Sequence, residues 1–507
     1  MSTLKQKVVK GFAWALLERF SMQFSSFFIS MILARLLTPN DYGTIALLTI
    51  FISLSGVFAD SGFGSALIQK KKATEADFNS VFYLSLCTSS LIYGVLFFIA
   101  PWVADFYETP MLVGLLRFLG LSIPLNAINS IQNAELSRKM LFHLSFRISL
   151  IGFVVTSITG VTLAFLGYGP WALAWSTIAG AIIGVITRWY FIAWRPKLMF
   201  SWKAIKGLFA YGWKLTVSAF LDVGYNNLSG LLIGTFYSRD DLAFVTKGRM
   251  IPQLAMDSIN GTLGRVAFPA LAQVQDQRDK VRDTMRRMIT TSTFFVFPLM
   301  TGCAICAPSL IPLLFGNQWL PAIPYVQLAC FTFALWPFHT INLQAINALG
   351  RSDVFLTLEV IKKGLGLIAI LSTVRLGVWW MIAVGAFVMG PLSVLINSWP
   401  NRKLLKYTIQ MQLRDVLPAL LLCGVMAAVI HPLAWLPLPG WGKLFIQVPL
   451  GAITYFLFAI LFRVHALQEY LQIGGPILQR FVKGPLASLV DKVVTYVIGY
   501  ETNHEIH

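Results

Sequence analysis

Charge is what this chain has least of. Asp, Glu, Lys and Arg make up only 12% of its 507 residues, about half the ~25% of an ordinary soluble chain. So few charges cannot cover a surface facing water, which excludes a soluble globule, a coiled coil and a disordered polymer. Acidic residues are the scarcer sign, 22 against 40 Lys and Arg, leaving a net charge of +18. There are five cysteines, all inside apolar runs. Cys303-Ala-Ile-Cys306 has a redox-motif spacing without the βαβ setting such a pair needs, so these thiols read as small packing residues. His339, deep within an apolar run, reads as a hydrogen-bonded structural residue. No G-x-x-x-x-G-K-[ST], H-E-x-x-H, nucleophile elbow or Cys/His metal spacing occurs. ATP hydrolysis through a P-loop is therefore excluded, and no cofactor or metal is called for.

What fills the chain instead is apolar: 56% of residues are hydrophobic. A helical span needs roughly 20 apolar residues, and fourteen such segments can be marked: 12–36, 44–66, 79–100, 112–134, 147–166, 170–190, 212–237, 246–268, 289–313, 324–348, 358–374, 378–398, 415–433 and 444–462. They are long and apolar on all sides, unlike the short alternating segments of a barrel. The fold class is an all-α polytopic membrane protein with about 14 transmembrane helices. Lys5, Lys7 and Lys10 precede the first run, which carries Glu18 and Arg19 and lacks a small-residue cleavage site; it reads as a retained helix rather than a signal peptide.

The loops test this count. With the N-terminus in the cytoplasm, each inside segment carries three to five Lys or Arg, among them Lys70–Lys72 and Arg278 to Arg287. All outside loops together carry three: Arg239, Arg375 and Lys443. That bias fixes orientation and places both termini of this multi-pass membrane protein in the cytoplasm. It also explains the basic balance by membrane lipids, with no nucleic acid. The apolar residues of the tail recur at helical spacing from Leu486 to Ile498. They fit equally an amphipathic helix on the inner leaflet and one packed on the bundle.

The chain also repeats itself at about 200 residues. Thr38-Pro39-Asn40-Asp41 is matched by Ser238-Arg239-Asp240-Asp241, Ala100-Pro101 by Ala307-Pro308, Gln132 with Arg138 by Gln344 with Arg351, and Gly169-Pro170-Trp171 by Gly377-Val378-Trp379. The second copy starts after an even number of helices, so the repeats are parallel. The expected organisation is an N-lobe at 1–200 (helices 1–6), a C-lobe at 201–410 (helices 7–12), helices 13–14 at 411–464 and a cytoplasmic amphipathic tail at 465–507. Repeats around a central site are how secondary transporters expose that site to each side in turn.

Intramembrane charge concentrates in the first two helices of each half. Glu18, Arg19 and Arg35 lie on the first, Asp60 on the second, Lys214 and Asp222 on the seventh, and Lys247, Arg249, Asp257 and Arg265 on the eighth. Each charge at mid-bilayer costs at least ~2.5 kcal/mol on insertion scales, so these helices are expected to face one another or water. Six cations against four anions make a basic path that favours an anionic cargo. Arg19, Arg35, Lys214, Lys247, Arg249 and Arg265 are the expected substrate-binding residues, and Asp60, Asp222, Asn226 and Asp257 the coupling or gating ones. Residues near helix ends can instead snorkel to the headgroups. Arg19 and Arg35, about 24 Å apart along a helix, cannot share one site. Asp222, Tyr225 and Asn226 share a helix face and could satisfy one another.

Several motifs carry a family resemblance. Leu33-Ala34-Arg35-Leu36-Leu37-Thr38-Pro39-Asn40-Asp41-Tyr42-Gly43, Asp60-Ser61-Gly62-Phe63-Gly64, Arg265-Val266-Ala267-Phe268-Pro269 and Phe315-Gly316-Asn317-Gln318-Trp319 resemble polysaccharide exporters of the multidrug/oligosaccharidyl-lipid/polysaccharide superfamily. The likeness runs over about 1–400. It implies two six-helix lobes around a central cavity and a flippase for undecaprenyl-diphosphate-linked oligosaccharides. A polysaccharide polymerase and a chain-length regulator are the further partners implied. Arg35, Asp60 and Arg265 stand inside matching motifs. Within the superfamily the alternative is a multidrug/cation antiporter, which the basic balance disfavours; a membrane-embedded glycan-modifying enzyme is the third reading, and the short outer loops disfavour it.

Overall fold

The computed structural model describes residues 21–60, 67, 74–139, 141–472 and 495–497, and every long regular element among them is a helix. In the first half these are α1 (Ser21–Leu36), α2 (Pro39–Asp60), α3 (Glu75–Phe106), α4 (Met111–Gly120), α5 (Ser122–Arg138), α6 (Phe142–Phe165) and α7 (Pro170–Phe191). There follow α8 (Trp202–Phe236), α9 (Arg239–Ala272), α10 (Arg278–Phe315), α11 (Ile323–Ala334), α12 (Trp336–Ala348) and α13 (Ser352–Thr373). The last are α14 (Val378–Val384), α15 (Gly390–Leu404), α16 (Ile409–Ile430) and α17 (Gly440–Leu461). The surface is apolar where a soluble protein is charged: Phe98, Trp102, Tyr190 and Phe445 are all more than two-thirds exposed.

Ten helices are long and apolar enough to cross a membrane among the described residues. The other four expected spans fall on α1, where residues 12–20 of the expected span lie outside the described residues, and on α8, α9 and α13. Those three carry the intramembrane charges, or in α13 Asp353, Glu359, Lys362 and Lys363, which dilute their mean hydropathy. Ten crossings thus rest on helix length and composition; the four further ones expected from the sequence rest on the alternation of basic loops alone.

Local structure follows the repeat. The first N–H groups of a helix have no partner within it. At α2, Thr38 N–H donates to Asp41 Oδ2 (2.9 Å) while Asp41 N–H donates to Thr38 Oγ1 (3.3 Å). At α9, Ser238 and Asp241 repeat this reciprocal capping box (3.2 and 3.1 Å). Gly169 and Gly377, at φ 54° and 119°, precede α7 and α14 with backbones that a side chain would strain. Each half also breaks one helix at a leucine, Leu121 between α4 and α5 and Leu335 between α11 and α12.

The chain forms two compact units, Met1–Phe244 and Val245–His507. In the first, α2 packs on α3 and α8, and α6 on α7. The start of α9 comes so close to α2 that a Cβ on Gly43 would lie 1.8 Å from the Arg239 carbonyl oxygen. In the second, α10 packs on α11, α16 and α17 around a core that includes Phe294, Phe338, Tyr407 and Tyr455. Buried within it is an amide cluster. Asn342 Nδ2 donates to Gln412 Oε1 (3.0 Å), and Gln412 Nε2 and Asn401 Nδ2 donate to Asn342 Oδ1 (3.1 and 2.8 Å). His339 Nδ1 is bonded to Asn397 Nδ2 at 3.1 Å, the structural role its sequence position implied. Of the tail only one turn is described. Its Val497 is fully buried in this core, and the Val497 carbonyl accepts from Gln468 Nε2 (3.2 Å), so at that turn the tail packs on the bundle.

Gly43→Ala should lower the stability of the detergent-purified protein by about 1–3 kcal/mol, because a methyl group must push two backbones apart. Gly302→Ala, where a Cβ would meet nothing within 4 Å, should be neutral or stabilising by up to about 1 kcal/mol. Thermal unfolding of the two variants checks this; equal midpoints would show that the α2–α9 approach is not close.

Candidate functional site

The residues expected from charge occupy varied surroundings. Arg35 is exposed near the end of α1, and Arg249 is exposed on α9. Asp222 and Asn226 are exposed on α8, with Asn226 Nδ2 donating to Asp222 Oδ2 at 3.3 Å, the local pairing that their shared face allowed. Asp257 is half-buried on α9. Lys247 is 5% exposed. Its Nζ lies 5.3 Å from the Phe315 ring and 5.7 Å from that of Trp319, where two aromatic faces stabilise the ammonium. Gly316, at φ 98°, makes the turn between those two rings. Arg19 and the side chains of Asp60, Lys214 and Arg265 lie outside the described residues, as do Ser61-Gly62-Phe63-Gly64 of the resemblance and residues 473–494 of the tail.

What the first unit does assemble is a polar hollow that charge alone does not reveal. It has a volume of about 810 Å³ and lies among α2, α3, α5, α6 and α7. Ser122, Asn126, Asn129 and Asn133 line it from α5. At i, i+4, i+7 and i+11 they share one face, because an α-helix brings such positions round every 3.6 residues. Ser53 comes from α2, Thr156 from α6, and Thr177 and Arg188 from α7.

The neighbouring glycines make the space. A Cβ on Gly180 would lie 2.3 Å from Thr156 Oγ1, and one on Gly184 would lie 3.0 Å from Arg188 Nη1. The Gly180-xxx-Gly184 pair therefore brings α6 and α7 together and leaves room for a guanidinium. Arg188 Nε donates to Asn133 Oδ1 and Nη1 to the Gly184 carbonyl, each at 3.0 Å. These bonds aim the guanidinium along the cavity wall. Asn129 is only 7% exposed, and its Oδ1 is buried with no hydrogen-bond partner. Such an orphan costs about 1–3 kcal/mol, and an apolar membrane offers nothing to offset it.

The wall thus combines amides, hydroxyls and a single cation with the apolar side chains of Ile52, Ile123, Ala127 and Ala181. Each amide offers both a donor and an acceptor, which is the inventory needed to replace water around a polyol. The guanidinium suits an anionic oxygen. No group of three or more His, Cys, Asp or Glu is placed to hold a metal ion among the described residues.

A family model described as "Polysaccharide biosynthesis protein" matches residues 32–324. The teichuronic acid biosynthesis protein TuaB of Bacillus subtilis is 22% identical over 85% of this chain and 89% of its own. The lipopolysaccharide biosynthesis protein WzxC of Escherichia coli is 22% identical over 73% of this chain and 75% of its own. Among solved structures, the lipid II flippase MurJ in an inward closed conformation superposes with a TM-score of 0.71 at 15% identity, covering 88% of this chain and 98% of that one. At that identity the likeness shows a shared fold.

The hollow should be wet. With the five native cysteines replaced by alanine, Thr177→Cys should react with a membrane-impermeant, water-soluble thiol reagent. Ile186→Cys, on the same helix and 56% exposed among apolar neighbours, should not. Equal protection of both would mean that the cavity is closed to water.

Proposed function

The chain belongs to the polysaccharide biosynthesis protein family, a family of multi-pass membrane transport proteins, and from that premise we infer that it moves undecaprenyl-diphosphate-linked oligosaccharide repeat units from the inner to the outer leaflet of the cytoplasmic membrane for surface polysaccharide biosynthesis. The observation that carries this reading is the amide- and hydroxyl-lined hollow inside a helical membrane body.

A glycan leaving water gives up a hydrogen bond at every hydroxyl. Asn126, Asn129, Asn133 and Thr177 stand where such bonds can be replaced. Asn129 Oδ1 in particular gains the donor it lacks. Arg188 meets an anionic sugar substituent or a phosphate oxygen. The remaining intramembrane cations, Arg19, Arg35, Lys214, Arg249 and Arg265, add positive charge along the route for the diphosphate. The polyprenyl chain never has to leave lipid. Lys247, with its ammonium near the rings of Phe315 and Trp319, is read as a residue that helps hold α9 against the loop after α10. Asp60, Asp222 and Asp257 supply the negative groups that a coupling cation would need. The cycle is alternating access, the polar route opening to each side in turn. A polymerase and a chain-length regulator would take up the product.

The reading is tested by reconstituting the protein into vesicles that hold a lipid-linked oligosaccharide in one leaflet. Glycan appearing on the other side is followed with an impermeant lectin. The wild type should translocate. The Asn129→Leu/Asn133→Leu variant and Arg188→Gln should each slow the initial rate about tenfold or more, a loss of at least ~1.4 kcal/mol in the transition state, with Ile186→Ala unchanged. A protein that leaves the glycan in place but exchanges organic cations for protons would be the antiporter of the alternative reading.

A further inference from the structure

The second unit carries a charged pocket far in sequence from the residues that line the first hollow. It has a volume of about 460 Å³ and is walled by the start of α10, the start of α16 and the segment after α17. Three guanidinium groups (Arg286, Arg287, Arg414) and three carboxylates (Asp283, Asp415, Glu469) line it, so their charges cancel. The apolar runs of α10 and α16 begin just beyond these residues, and that of α17 ends just before them. All three walls therefore meet the membrane at the same surface. Leu413, Leu417, Leu421 and Phe462 stand exposed on the adjoining elements.

Most of the charge is spent internally. Asp415 takes Arg286 Nη2 at 2.5 Å on one oxygen and the Tyr407 hydroxyl at 2.7 Å on the other. Glu469 is different. Its Oε1 takes Arg287 Nε at 2.8 Å, with His465 Nε2 at 3.5 Å, but its Oε2 is buried with no hydrogen-bond partner. The residue is 6% exposed. Across the pocket Arg414 is exposed and makes no ion pair among the described residues. One hollow thus holds a carboxylate oxygen in want of a donor and a guanidinium in want of an anion.

We propose that this pocket binds the headgroup of a membrane phospholipid that carries both a phosphate and a primary ammonium. The phosphate pairs with Arg414 and the exposed edge of Arg287, as planar guanidinium groups favour. The ammonium donates an N–H to Glu469 Oε2. The zero balance of the lining matches a zwitterion and not an anion. A trimethylammonium headgroup has the same charges and no N–H, so it leaves Glu469 Oε2 an orphan. A glycerol headgroup brings no cation for the carboxylate. The acyl chains follow the exposed leucines of α16 into the bilayer.

The full-length protein in detergent is titrated with phosphatidylethanolamine, phosphatidylcholine and phosphatidylglycerol of identical chains, and with tail-less glycerophosphoethanolamine, counting bound molecules by native mass spectrometry. Phosphatidylethanolamine should bind about tenfold or more tighter than the other two lipids, the worth of one charge-assisted hydrogen bond. The tail-less compound should bind far more weakly still. Glu469→Gln should bring phosphatidylethanolamine down to the level of phosphatidylcholine. Arg414→Gln, at an exposed position where folding is not at stake, should weaken both about tenfold. Equal binding of the three lipids, or an unchanged preference in both variants, overturns the proposal. So does phosphatidylglycerol as the tightest ligand, which would mark an anionic-lipid site. Glycerophosphoethanolamine competing as well as the lipid would mark a site for a soluble molecule and overturn it too.

Discussion

Hydrocarbon offers a polar group no partner, so every donor and acceptor at membrane depth must be met from within the protein or by what it carries. Most of what the structure does with its few polar residues follows from that constraint. The capping boxes of α2 and α9 return the first N–H groups of each helix to side chains of the same turn. The Asn342, Gln412 and Asn401 amides close on one another in the second core. Lys247, with two ring faces against its ammonium, is handled by a softer version of the same rule. The rule is broken at several buried atoms, among them the side chains of Gln132, Asn397, Asn401 and Gln447; two others, Asn129 Oδ1 and Glu469 Oε2, belong to residues that line a cavity.

The two cavities divide the chemistry between them. The first is lined by neutral groups with a single guanidinium, so its selectivity is for hydrogen-bonding shape. The second is lined by opposed full charges at the water boundary, so its selectivity is for the sign and spacing of charge.

The architecture was legible because long apolar runs and basic loops are sequence properties in their own right. The repeat was legible through residues that force backbone geometry. Thr38 with Asp41 and Ser238 with Asp241 are caps in both copies, and Gly169 and Gly377 sit at positive φ in both. The site was less legible, and the reason is specific. A search for buried charge finds Arg, Lys and Asp, whereas the hollow is built of Asn, Ser and Thr, which cost less in the membrane and so raise no alarm. The signal was present as Ser122, Asn126, Asn129 and Asn133 on one helical face. Gly180 and Gly184 read as a packing motif, which they are, but the second also houses Arg188. Lys247 could not be placed from sequence because its partners, Phe315 and Trp319, stand some seventy residues away. The resemblance motif around Gly316 thereby gains a physical reason: its turn brings both rings to one cation.

Helix α10 has 38 residues, about 57 Å of rod against a hydrocarbon layer of roughly 30 Å. About a third of it lies outside the expected span 289–313, and nearly all of that third is the end bearing Arg278 to Arg287 and a wall of the charged pocket. Its three prolines, Pro298, Pro308 and Pro312, all lie within that span, where each deletes a backbone hydrogen bond and loosens the ladder. The rod is stiff outside the bilayer and pliant within it. The backbone ladder is thus interrupted three times within the apolar run and not once in the charged turns that wall the pocket.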